Sequence, residues 1–329
     1  MKRFCTKFYI AFALFASLYL TFVICKAFLY TGDLGALGAV PFGPSAKGTH
    51  IGEKDSLIYY QYVTSKQEFD ASDIIVIGDS FSSSMGDDGF PNFLGRSLGC
   101  IVKIASRSDI YFHPVNDFIG LVNTGFFYPG QTVVLETVER ECVKRLLEMD
   151  INHKSDEFFF KGLPQTERQR TLLSDFIGWM RLKLPKFDNP VKSCKLSRDV
   201  FTHSRYSDKL FYYVVDLFFE KQSDEDYLNA VNNLSLLYEF AEGKGINLIF
   251  LIAADKYGCY EPWIIDAHSK NPASEYFKDI PYVFDSKGIL QEAVSAGEKD
   301  VYMVSNTHWS NIGAGIVGEA LADIINDNI

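Results

Sequence analysis

The sequence predicts an α/β fold, a three-layer sandwich built on a mostly parallel sheet. Two observations predict it. Short runs of β-branched and apolar residues alternate with longer segments of helical period, the order produced by a parallel sheet with helices on both faces. The chain of 329 residues, 47% hydrophobic and 22% charged, can also bury a core large enough for one such domain with a substantial insertion.

The chain opens with Lys2, Arg3 and Lys7, followed by a stretch without charge over residues 8–25. At about 1.5 Å per residue that stretch can cross a bilayer core of roughly 30 Å. Basic residues stay cytoplasmic, so residues 1–30 are expected to form a single-pass transmembrane helix in the inner (cytoplasmic) membrane, with the remainder in the periplasm or outside the cell. A cleaved signal peptide would share these features, but the length of the run and the lack of a small-x-small site directly after it favour an anchor. The absence of a polar face argues against a buried core helix.

Residues 31–53 hold six glycines and two prolines and read as a linker. Residues 43–49 place a lysine among glycines but lack the Gly-Lys-Ser/Thr order of a phosphate loop. The domain proper is expected over 54–329. Its strands are expected at 74–77, 100–105, 132–136, 247–252 and 301–304. Its helices are expected near 55–66, 114–123, 139–149, 224–242, 286–296 and 309–325, with Gly243 and Gly245 at the end of the fourth. Residues 150–222 break the alternation and are rich in aromatics, among them Phe158, Phe159, Phe160, Trp179, Phe211, Tyr212 and Tyr213. They are expected to form a mostly helical insertion whose rings pack onto the main domain or offer a lid or sugar platform.

Charge and cysteines exclude some functions. The formal charge is -10, and residues 1–30 hold Lys2, Arg3, Lys7 and Lys26 with no acid, so the rest carries 28 basic against 42 acidic residues. Such a surface repels phosphate backbones and argues against a nucleic-acid partner. Cys5 and Cys25 belong to the apolar segment, while Cys100, Cys142, Cys194 and Cys259 are widely spaced without a CxxC pair. That spacing argues against zinc, or any metal site, and leaves disulfides and free buried thiols equally open. No motif calls for a cofactor.

The chemistry concentrates in two places. The run 74–77 leads into Gly78-Asp79-Ser80, which puts Ser80 in the turn at the carboxyl end of the first strand, where open α/β sheets place their ligands. A helix following it, with Ser82, Ser83 and Ser84 near its start, would aim N–H groups at a developing oxyanion. A serine hydroxyl needs a base to become a nucleophile. Of the six histidines, His308 is the best candidate, because it follows the expected last strand and would reach the same edge of the sheet. His50, His113, His153, His203 and His268 fall in the linker, in expected loops or in the insertion.

Gly78-Asp79-Ser80-Phe81 followed late by His308 resembles the SGNH (GDSL-type) hydrolase superfamily. The block 306–314, Asn-Thr-His-Trp-Ser-Asn-Ile-Gly-Ala, resembles the Asp-Thr-His-Trp-x-x-x-Gly-Ala motif of alginate O-acetyltransferases. The run Glu136-Thr137-Val138-Glu139-Arg140 is similar to their strand ending in Glu-x-x-Glu-Arg, and Lys256 with Tyr260 to their Lys-x-x-x-Tyr segment. The resemblance implies an O-acetyltransferase of an exported or cell-surface polysaccharide, working through a Ser-His acyl-enzyme and supplied with acetyl groups by a membrane-embedded acyltransferase. A carbohydrate esterase would share every motif. A non-catalytic polysaccharide-binding or assembly protein with a degenerate site is the reading from another class.

Three departures from the family pattern matter. The serine block precedes the histidine block here, the reverse of the alginate enzymes and the usual SGNH order, as if that arrangement were circularly permuted. The position expected to hold aspartate is Asn306, which can orient His308 but supplies no charge; in serine proteases the same exchange is costly because it favours the wrong tautomer. Asp79, Glu136 and Glu139 are other carboxylates that could reach His308. The Gly and Asn blocks that complete the oxyanion hole in ordinary SGNH esterases are not evident. Ser108 and Arg140 are candidate substitutes, and Asp79, Lys256, Tyr260 and Trp309 are candidate oxyanion or substrate contacts, with packing the alternative for Tyr260 and Trp309.

Overall fold

The computed structural model describes residues 2–29, 57–63, 66–68, 70–83, 89–105, 113–154, 190–267 and 270–328. Its centre is a six-stranded sheet: β1 (Tyr60–Tyr62), β2 (Ile74–Ile77), β3 (Val102–Ile104), β4 (Thr132–Val138), β7 (Asn247–Ala253) and β8 (Val283–Asp285), in the order β1-β3-β2-β4-β7-β8. Every pairing in it is parallel. From β3 to β8 this is the 2-1-3-4-5 order of flavodoxin-like sheets, whose switch point lies between the first and third strands, here β2 and β4.

Alternation along the strands divides the core in two. Ile74 and Val76 of β2, Val134 of β4 and Leu251 of β7 face one layer, while Ile75, Ile77, Val133, Leu135, Phe250 and Ile252 face the other. The first layer is covered by α3 (Phe90–Leu98), α9 (Ser286–Ser295) and α10 (Asn311–Asn328). The second is covered by α4 (Pro114–Asn123), α5 (Glu139–Leu147) and α6 (Asp224–Glu242). A capping box between Ser223 and Asp226 starts α6, and Gly245, at φ 72°, makes the left-handed turn after it into β7.

Three expectations are corrected, and one strand was not foreseen. Residues 60–62, expected within a helix, form β1 at the sheet edge, because Tyr60 and Tyr62 share one face of a strand paired to β3. Among the described residues, 301–304 join no ladder: Val301, Tyr302 and Val304 are apolar because they are buried in the core layer of α9 and α10, and the one bridge there joins Tyr302 to Trp309. The described part of the expected helical insertion is a hairpin, β5 (Val191–Lys195) paired antiparallel to β6 (Lys209–Tyr213), followed by a 3-10 helix at Val214–Lys221. Leu210, Phe211 and Tyr212 of β6 are all buried, so both faces of this strand are covered. The strand β8, three residues long, carried too short a pattern to predict. The linker and residues 155–189 lie outside the described residues.

The N-terminal helix α1 (Lys2–Leu29) exposes Phe8, Tyr9, Phe12, Phe15 and Leu18. Among the described residues no helix is long and apolar enough to cross a membrane.

Candidate active site

Ser80 is the first residue of α2 (Ser80–Ser83), three residues beyond the end of β2 and beside the switch point. The turn needs glycine at 78, since a Cβ there would stand 2.1 Å from Ser82 Oγ and 2.4 Å from Glu136 Oε2. Glu136, fully buried on β4, accepts hydrogen bonds at Oε2 from the Asp79 N–H (2.8 Å) and the Ser82 hydroxyl (2.7 Å). Asp79 turns the other way. Its Oδ2 accepts from Arg145 (2.9 Å) and from the Val138 N–H (3.2 Å), and its Oδ1 accepts from the Phe81 N–H (3.3 Å).

Burial works to raise the Asp79 carboxyl, but Arg145 and Glu136 hold it below its ordinary value. Burial, with the neighbouring Asp79 charge, pushes Glu136 well above its own. One carboxyl of this close pair is therefore ionised and the other favours its neutral form. The helix donors expected for an oxyanion are already engaged, because the Phe81 and Ser82 N–H groups turn back to Asp79 Oδ1 and Asp79 O.

His308 lies in the turn between the buried run 301–304 and α10. Its Nε2 is 2.7 Å from Ser80 Oγ, and its Nδ1 is 2.7 Å from Asn306 Oδ1. The same Asn306 oxygen accepts the backbone N–H of His308 at 3.2 Å. A backbone N–H can only donate, so the amide presents its oxygen to the ring. Nδ1 then carries the imidazole proton, and Nε2 offers its lone pair to the serine hydroxyl. The wrong tautomer feared for an amide at this position is thus avoided, although no negative charge is supplied.

The remaining predicted residues pack around this pair rather than open to a substrate. Trp309 is 1% exposed; its Nε1 donates to the Tyr302 hydroxyl at 2.8 Å, and its ring meets Phe81 edge-on at 4.6 Å, while Phe81 also lies 4.9 Å from the His308 ring. Tyr260 is buried and accepts the Tyr302 N–H at 3.2 Å. Lys256 is 1% exposed and donates to three backbone carbonyls.

Arg140 belongs to a buried ionic group, bonded to Asp255 and 3.5 Å from Asp216. Burial opposes its charge, and the two aspartates keep its pKa raised. In the same group burial raises Asp216 to about 6 and pushes Asp255 well up, both against the pull of Arg140. Asp79 and Arg140 are thus engaged by the protein's own charged groups, and Tyr260 and Trp309 take the packing alternative open to them in the sequence. Ser108 lies outside the described residues.

The three carboxylates considered for His308 are spent elsewhere: Asp79 on Arg145, Glu136 on the Ser80 turn, and Glu139 on Lys287 (2.8 Å) and the Asp255 N–H (3.0 Å). Sequence reasoning missed Arg145, and it gave Ser82 a backbone role but not its hydroxyl bond to Glu136. Nothing in the local spacing marks Arg145, whose partner is 66 residues away. His113 caps α4 by accepting the Asn116 N–H, and His203 stacks on Tyr206, so neither competes with His308.

No model of a known protein family matches the chain, and no curated protein matches it. Among solved structures the chain is similar to a protein from Desulfitobacterium hafniense described as lipolytic and of the G-D-S-L family, at 12% identity and a TM-score of 0.37, over 77% of this chain and 99% of that one. At that level the likeness carries no inference about activity, and the sheet order and site geometry stand on their own.

Proposed function

We propose that the chain is an SGNH-type serine acyltransferase that places acetyl groups on an exported or cell-surface polysaccharide. The observation that carries the chemistry is the relay at the carboxyl edge of the sheet, Ser80 Oγ to His308 Nε2 at 2.7 Å and His308 Nδ1 to Asn306 Oδ1 at 2.7 Å. As Ser80 Oγ attacks the acetyl carbonyl carbon of the donor, His308 Nε2 takes the hydroxyl proton and then returns it to the departing donor oxygen. A sugar hydroxyl next loses its proton to Nε2 and attacks the acetyl-Ser80 ester. Collapse of that intermediate restores the Ser80 hydroxyl and leaves the acetylated sugar.

The polysaccharide half of the proposal rests on the 306–314 block and its two companion blocks in the sequence. Placement outside the cytoplasmic membrane rests on Lys2, Arg3 and Lys7 preceding the uncharged run. A domain placed there has no access to cytoplasmic acetyl donors, so a membrane-embedded acyltransferase is the partner proposed to supply them.

The test offers the purified chain an activated acetyl ester, with and without oligosaccharide acceptors, beside Ser80→Ala and His308→Ala. Acetylated sugar formed only with acceptor, and lost in both variants, is the expected result. Acetate release regardless of acceptor would identify a carbohydrate esterase instead. A Ser80→Ala variant as active as the parent would sink both.

A further inference from the structure

Among the described residues no strand holds the turn that presents His308. Residues 301–304 pair with no neighbour in the sheet, and the bridge between Tyr302 and Trp309 closes the turn only on itself. Three carbonyls of this turn instead converge on one atom. Lys256 Nζ donates to Met303 O at 2.6 Å, Val304 O at 3.0 Å and Asn306 O at 3.0 Å. An ammonium has three N–H donors, and three carbonyl acceptors match them. Lys256 is 1% exposed, so its charge is kept from water and solvated by the turn itself.

The other end of Lys256 is fixed as firmly. It opens α7 (Lys256–Tyr260) at the carboxyl end of β7. The preceding residue, Asp255, is tied through its N–H to Glu139 Oε2 at 3.0 Å and through Oδ1 to Arg140. Asn306, whose carbonyl Lys256 holds, is the residue whose Oδ1 accepts from both the ring and the backbone of His308.

We propose that Lys256 is a positioning residue that sets the Asn306 turn, and through it the orientation of His308 toward Ser80, without contacting substrate. The proposal rests on the Ser80–His308 acyl-enzyme reading. It assigns the Lys-x-x-x-Tyr segment to the geometry of the base rather than to recognition of the sugar.

The test compares the full-length chain with Lys256→Met, using acetyl-ester turnover and the downfield proton resonance of the His308 Nδ1–H, assigned by its loss in His308→Ala. The expected result is a kcat at least tenfold lower, a KM within twofold of the parent, and loss or broadening of that resonance in a folded protein. An unchanged kcat with the resonance intact would overturn the proposal, as would a KM rise at constant kcat, which would mark a substrate contact. If Lys256→Met does not fold, Lys256→Arg replaces it. A planar guanidinium keeps the charge but cannot present three donors from one point, so a lower kcat and a disturbed resonance are again expected, and parental values overturn the proposal. Ser80→Ala measured alongside separates the two questions: parental activity there defeats the acyl-enzyme reading, while the resonance still decides the role of Lys256.

Discussion

The Ser80 turn and the His308 turn meet across 2.7 Å and are fastened by opposite means. The first springs from a central strand and is held by ionisable groups, Asp79 on Arg145 and Glu136 under Asp79 and Ser82. The second springs from no strand and is held by an amide and three carbonyls gathered on Lys256. A turn that leaves a sheet inherits its place from the neighbouring strand, here β4, and its side chains lock what the ladder has already set. A turn without a ladder leans more heavily on side chains, beside the few backbone bonds it makes to itself. Stability should therefore be sensitive on the Ser80 side and catalytic geometry on the His308 side.

Arg145→Met breaks the first fastening and is expected to have the largest effect on stability. It leaves the Asp79 carboxylate buried without its cation, a change that costs about 3–5 kcal/mol when one partner of a buried pair is removed. Urea unfolding measures it, and Asp79→Asn combined with Arg145→Met should recover much of the loss. The pH dependence has a definite sign. With its folded pKa lowered, Asp79 contributes stability above its unfolded pKa that disappears as pH falls through the folded value. Arg145→Met should abolish that acid-side loss. A cost below about 1 kcal/mol, within the range of an exposed ion pair, would show that charge does not fasten this turn.

Gly78→Ala tests the same turn by volume. The added methyl would meet the Ser82 hydroxyl and Glu136 well inside contact distance, so about 1–3 kcal/mol of stability should be lost to overpacking. Acetyl-ester turnover should fall as well, because the backbone that carries Ser80 must move. Parental turnover in a destabilised variant would mean that Ser80 is placed independently of its turn.

Asn306→Asp sharpens the contrast from the other side by giving the His308 turn the charge it lacks. A carboxylate at 306 favours the imidazolium, so the acid limb of kcat/KM should move to higher pH by about one unit, the lower end of shifts from an adjacent opposite charge. The rate should rise about tenfold or more, since the charge formed on His308 during attack is then stabilised. An unchanged rate and limb would show that correct tautomer and orientation, which Asn306 already provides, are all the site uses.

Legibility in the sequence follows the same division. Four β-branched or apolar residues at 74–77 followed by Gly-Asp-Ser were enough to place Ser80, because a fully buried parallel strand has a short and distinctive pattern. The run 301–304 has a similar composition for another reason, burial in the core layer of α9 and α10, and so reads as a strand in the sequence. Periodicity alone cannot separate those two origins. His308 is singled out in the sequence by an expected strand at 301–304 that the structure does not form, and then by its motif; its contact with Ser80 depends on the Lys256 turn, which no local pattern announces. Arg140, Tyr260 and Trp309 belong to recognisable blocks, yet their burial and partners come from tertiary structure, with Arg140 meeting Asp255 across 115 positions. Residue identity at the site was legible where chemistry names the residue, while the supporting role of each neighbour was not.

The smallest expected effect lies in Glu136, the neutral-favouring partner of Asp79. Its folded pKa is raised by burial and by Asp79, so the folded state holds a proton that the unfolded chain releases first. Stability is then full below the unfolded carboxylate pKa and declines as pH rises toward the folded one, the opposite slope to that of Asp79. Glu136→Gln keeps an oxygen for the Asp79 N–H and the Ser82 hydroxyl and replaces the protonated oxygen with a permanent donor. Thermal unfolding followed from pH 4 to pH 8 should therefore show the alkaline decline in the parent and a flatter profile in the variant, with turnover within about twofold. The same decline in both proteins would mean that Glu136 is ionised under Ser80. The Ser80 turn would then be held by two charges rather than by one charge and one neutral carboxyl.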